Sequence, residues 1–137
     1  MNARLLLALL VLPVVVASCS KAPEDTWARA RQARRDADTA AYLACFTART
    51  QKVLSNLQAF EDSTRKRFPW LKDPFALLPD DDPAQPAHVD GNVARLRVGS
   101  GKRELEAVLI REGGEWRIEG LELPTFWAPL AASKEPE

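Results

Sequence analysis

Asp90-Gly91-Asn92-Val93-Ala94-Arg95-Leu96-Arg97-Val98 alternates apolar and charged residues behind a Gly-Asn turn. A period of two marks a strand with one buried and one wet face. The same period returns over residues 103–111, where Leu105, Ala107 and Leu109 share a face, and over residues 115–123, where Trp116 and Ile118 are in phase. Residues 87–90 are a fourth, short candidate. The separators Asp90-Gly91-Asn92, Gly99-Ser100-Gly101 and Gly113-Gly114 are too short for crossovers and suit hairpins, so the sequence predicts an antiparallel meander. Leu121 and Leu123 fall one position out of phase with Ile118, and Gly120 is expected to bulge or bend the last strand there.

Upstream of residue 86 the period is helical. Pro23, Glu24 and Asp25 suit a first helical turn, because proline costs nothing there and acids favour the positive end of the helix dipole. Trp27, Ala30, Ala33 or Arg34, and Ala37 then recur at helical spacing, with Trp27 as the core anchor. Asp36-Ala37-Asp38-Thr39 supplies a break and a cap for a second helix over residues 40–46. Thr47 or Thr50 caps a third, whose Val53, Leu54, Leu57, Phe60 and Phe68 share a face until Pro69 stops it. Residues 69–86 carry five prolines and Asp80-Asp81-Asp82, but also Trp70, Leu71, Phe75, Leu77 and Leu78, which predicts an ordered loop. Helices first and strands afterwards make an α+β domain, with N-terminal helices packed on a curved antiparallel β-sheet.

The residues from Trp27 to Ala30 and from Asp36 to Cys45, with Val89-Asp90-Gly91-Asn92-Val93-Ala94-Arg95-Leu96 and Glu112-Gly113-Gly114-Glu115-Trp116-Arg117-Ile118, carry a family likeness. Together they resemble uncharacterised bacterial lipoproteins with a nuclear transport factor 2-like (cystatin-like) domain, over most of residues 24–124. The resemblance implies a cone in which helices cover the concave sheet face and Trp116 is buried. Residues 69–86 depart from the family's pattern. The superfamily spans isomerases, dehydratases, cyclases and purely protein-binding modules, so the fold alone selects no function.

Met1-Asn2-Ala3-Arg4 followed by the apolar run from Leu5 to Ala17 reads as a signal peptide over residues 1–18. Thirteen residues make roughly 20 Å of helix, short of the roughly 30 Å hydrocarbon core. Val16-Ala17-Ser18-Cys19 resembles the bacterial lipobox, in which small residues admit the protease and the cysteine thiol is acylated. Cys19 is thus the expected lipidation site and mature N-terminus, residues 19–23 the tether, residues 24–130 the domain, and residues 131–137 a disordered tail. Ser20 in the following position, by family rule, suits outer-membrane sorting, with the domain facing the periplasm.

The chain has 137 residues, with 19 basic and 19 acidic side chains. Removing residues 1–18 leaves 18 basic and 19 acidic, a balance that excludes a strongly basic polyanion binder and leaves nucleic acid out as a partner. Once Cys19 is acylated, Cys45 has no intramolecular disulfide partner, and its apolar setting makes it a packing residue.

Catalytic signals are sparse. The one histidine, His88, starts an edge strand and reads as solvated; a general base is the competing role. Asp36 and Asp38 read as caps before they read as a carboxylate pair. Asp80-Asp81-Asp82 lacks the spacing of a calcium loop and reads as a solvated acidic loop. Arg95, Arg97, Arg103 and Arg117 interleave with Glu104, Glu106 and Glu119 as a charge-balanced outer face. Phe126 and Trp127, between Pro124 and Pro129, either close the core or form a contact surface. No catalytic residue, cofactor or metal is expected. The reading is a lipid-anchored envelope lipoprotein with a non-catalytic binding domain, its partner an envelope protein or a small apolar ligand. The alternative is a ligand-binding cone or an isomerase- or cyclase-like enzyme using Asp, His88 or Tyr42. A cone filled by Trp27, Phe60 and Trp116 favours the former.

Overall fold

The computed structural model describes residues 22–63 and 73–132. The expected signal segment, Cys19, Phe68, Trp70 and Leu71 lie outside the described residues, as do residues 133–137. Three helices come first: α1 (Pro23–Arg35), α2 (Thr39–Leu43) and α3 (Ala48–Ser63). Four strands follow: β1 (His88–Asp90), β2 (Val93–Val98), β3 (Leu105–Glu112) and β4 (Glu115–Ile118), paired antiparallel in the order β1-β2-β3-β4. The chain closes with α4 (Pro124–Ala132). The expected α+β meander is present, as an open four-stranded sheet.

Local chemistry sets the boundaries. Pro23 opens α1, and the Asp25 carboxylate accepts from the Ala22 amide at 3.2 Å. Ala37 breaks the helix with φ +52°, a left-handed conformation that costs an alanine energy and therefore depends on its neighbours. Asp38 then caps α2 by accepting from the Ala41 amide at 3.0 Å. Thr47 caps α3, its hydroxyl accepting from the Thr50 amide at 3.2 Å.

The inner sheet face presents Ala94, Leu96, Val98, Ala107, Leu109, Trp116 and Ile118, all buried, so the register read from the alternation holds. Against it pack Trp27, Ala30 and Ala33 of α1, with Tyr42, Phe46, Leu77 and Phe126 filling the remaining space. Tyr42 meets Phe46 and Phe75 edge-on at centroid distances of 5.4 and 4.9 Å.

Several expectations are corrected. Phe60 is 43% exposed and lies outside the buried core, which α3 meets through Leu54, with Val53 and Leu57 partly buried against it. The second helix ends at Leu43, and Phe46 instead bridges Ile118 in parallel. The last strand stops at Ile118, and residues 120–122 form a 3-10 turn rather than a bulged strand. Gly120 is required for lack of space: a Cβ there would lie 2.5 Å from Thr50 Cγ2. Residues 101–103 form a 3-10 turn, so the third strand starts at Leu105. Residues 131–132, expected in a disordered tail, complete α4.

Phe126 is buried, while Trp127 is 51% exposed and donates its indole N–H to the Leu121 carbonyl at 2.6 Å. The two readings of this segment therefore divide between neighbouring residues. Truncating a buried Trp costs about 3–5 kcal/mol. Trp116→Ala should lose stability on that scale in urea unfolding, and Trp127→Ala clearly less; equal losses would contradict this placement.

Candidate functional site

A groove of about 390 Å³ with polar lining lies between α1, the α1–α2 turn, α2 and β4. Arg29, Asp36, Asp38, Glu115 and Arg117 line it, and Cys45 lies at its floor. Arg29, Arg117 and Glu115 all act electrostatically on the Cys45 thiol, which shows how closely they converge. Burial outweighs the two guanidiniums and pushes the thiol above its ordinary value. Its Sγ lies 3.4 Å from the Ala41 carbonyl. A protonated, buried thiol is a packing group and a poor nucleophile, as the sequence indicated.

Arg117 is held in place. It donates to the Ala44 carbonyl at 2.8 Å and to the Glu115 carboxylate at 3.4 Å. Asp38 is committed to its cap, and Asp36 accepts from Gln32 at 3.0 Å. The groove thus offers fixed charges of both signs over an apolar floor. That arrangement suits recognition of a polar surface and contains no base poised beside a nucleophile.

The remaining candidates lie elsewhere. His88 is exposed on β1 and lines a smaller depression of about 250 Å³ on the outer face with Arg95, Arg97 and Glu106. On that face Arg95 pairs with Glu106 at 2.8 Å and Arg97 with Glu104 at 3.4 Å, as the charge-balanced reading expects. Arg103 sits in the turn before β3. Tyr42 is buried in the core, away from His88, and its hydroxyl is 3.5 Å from the Phe75 carbonyl. Among the described residues no three His, Cys, Asp or Glu side chains gather as metal ligands. No described helix is long and apolar enough to cross a membrane.

Two arrangements went unread in the sequence. Asp80 and Asp82 both pair with Arg31 of α1, at 3.0 Å for Asp80, and the Trp27 indole donates to the Asp81 carbonyl at 3.0 Å. The acidic run is solvated, as expected, and in addition is tied to α1 through Arg31 and Trp27. The hydrogen bond from Arg31 holds the Asp80 carboxyl below its usual range.

The second is Glu119, expected on the wet face and in fact buried at the α3 N-terminus. Its carboxylate accepts from the hydroxyls of Thr50 at 2.9 Å and Thr47 at 3.4 Å, and lies 3.3 Å from the Arg49 guanidinium. Thr50 in turn accepts from the Gly120 amide at 3.0 Å. A buried carboxylate is tolerated when its lone pairs are met in this way. The network is a structural joint.

Comparison with family models, curated proteins and solved structures gives no match.

Two measurements check these placements. Thr50→Val leaves a buried carboxylate short of a donor and should cost about 1–3 kcal/mol, whereas Arg49→Ala removes an exposed partner and should cost less than about 1 kcal/mol; the reverse order in urea unfolding would contradict the joint. Tyr42 is the chain's only tyrosine, and burial raises its pKa far above the ordinary 10. The folded state thus favours the neutral phenol. That contribution is complete below pH 10 and is lost above it as the unfolded chain ionises. Phenolate absorbance should appear only with alkaline unfolding, and a normal titration in the folded protein would contradict the burial.

Proposed function

We propose that this chain is a bacterial envelope lipoprotein, acylated at Cys19 and held in the outer membrane, whose folded part is a non-catalytic binding module of the nuclear transport factor 2-like type facing the periplasm. The lipobox-like Val16-Ala17-Ser18-Cys19 supports the anchor. A multiply acylated cysteine holds firmly, since each buried methylene contributes about 0.8 kcal/mol.

One observation carries the binding reading over the enzymatic one. The space between helices and sheet, where a cone-type enzyme holds its substrate, is filled by Trp27, Tyr42, Phe46, Trp116 and Phe126. Phe60 takes no part in that filling. Polar side chains collect instead in the groove beside Cys45, accessible from outside. Fixed charges of both signs on a rigid scaffold favour an envelope protein as the partner.

The anchor is tested by Cys19→Ala. Wild-type protein should incorporate labelled fatty acid and sediment with membranes, and the variant should do neither while keeping its fold by circular dichroism. Wild-type protein without label, together with a variant that sediments unchanged, would sink the proposal.

A further inference from the structure

The place where α1 starts fixes which end of the domain meets the membrane. Between Cys19 and Pro23 the chain has four Cα steps, at most about 14 Å of contour. Pro23 is buried and opens a helix locked into the core by Trp27, so the tether has no further slack to draw on. Given the proposed acylation of Cys19, on which this inference rests, the α1 N-terminus is held at the headgroup surface.

The neighbourhood of that terminus is chemically distinct. The Ala87 amide donates to the Glu24 carboxylate at 2.5 Å, which places residues 83–87 beside the start of α1. Pro83-Ala84-Gln85-Pro86-Ala87 carries no charge, and Ala84, Gln85 and Pro86 are exposed. With Pro83, Glu24 and Asp82 they line an open hollow of about 560 Å³. The acids nearby each have a partner, Glu24 in the Ala87 amide, Asp25 in the Ala22 amide and Asp82 in Arg31, although Asp25 and Asp82 stay open to solvent. The other end of α1 carries Arg35 and Asp36 in the open, with Asp38 beyond. Bringing charges against a bilayer costs desolvation, and the cost is least where the exposed side chains, Ala84, Gln85 and Pro86, are uncharged.

We infer that the end of the domain formed by Glu24 and residues 83–87 rests on the bilayer that holds the Cys19 acyl chains. Arg35, Asp36 and Asp38 then stand roughly 20 Å away along α1, so the part of the groove lined by Asp36 and Asp38 lies away from the bilayer. The partner met by residues 83–87 is lipid, and the partner met by the groove approaches from the periplasm.

The test uses the full-length acylated protein in vesicles of phosphatidylethanolamine and phosphatidylglycerol containing a nitroxide-headgroup lipid. Single fluorophores are placed on Gln85→Cys, Ala84→Cys or Arg35→Cys in a shared Cys45→Ala background, and Cys19 acylation is verified by mass for each. Quenching should be several-fold stronger at residues 84 and 85 than at residue 35. Equal quenching, or stronger quenching at residue 35, on acylated protein overturns the orientation while leaving the anchor intact. Protein that carries no acyl mass on Cys19 removes both.

Discussion

Everything in this fold depends on what β4 does with its outer edge. A strand of four residues at the side of a sheet would ordinarily leave backbone donors and acceptors open to another chain. Here the Ile118 amide donates to the Cys45 carbonyl at 2.8 Å, the Thr47 amide donates to the Ile118 carbonyl at 2.9 Å, and the Thr26 hydroxyl donates to the Trp116 carbonyl at 2.7 Å. The helical half is thereby stitched onto the strand half by main-chain bonds. Glu119 then locks the joint by receiving both threonines at the head of α3.

That joint also arranges the charges of the groove. Because β4 is covered on the inner side by α1 and at its edge by residues 45–47, Trp116 and Ile118 are sealed into the core. Arg117 and Glu115, on the other phase of the same strand, are left at the rim beside Arg29 and Cys45. The strand alternation that fills the interior thus delivers the charges of the groove. In the proposed binding role, a groove built on regular elements would reduce the ordering cost of association.

The meander was legible because its information is local. Alternation in β2 and β3, glycine-containing turns and a proline-acid start for α1 each act within a few residues, and each held. Asp38 was readable as a cap for the same reason. Glu119 was not, since its environment comes from Thr47 and Thr50, 72 and 69 residues away. Its phase alone assigned it to solvent. The pairing of Arg31 with Asp80 and Asp82 spans 49 and 51 residues and left no periodic trace. In α4, Pro129 disguised a helix that Pro124 could have announced. The groove was invisible as a unit because its members come from α1, the α1–α2 turn, α2 and β4.

Native-state hydrogen exchange tests the joint most directly, because it reads the free energy of opening at single amides. The account predicts that the amides of Thr47, Ile118 and Gly120 exchange only through global unfolding, with protection equal to that of Leu109 in the middle of the sheet. Should Thr47 and Ile118 exchange through a lower-energy opening while Leu109 stays protected, the two halves would be separable, and β4 would not be what holds them together.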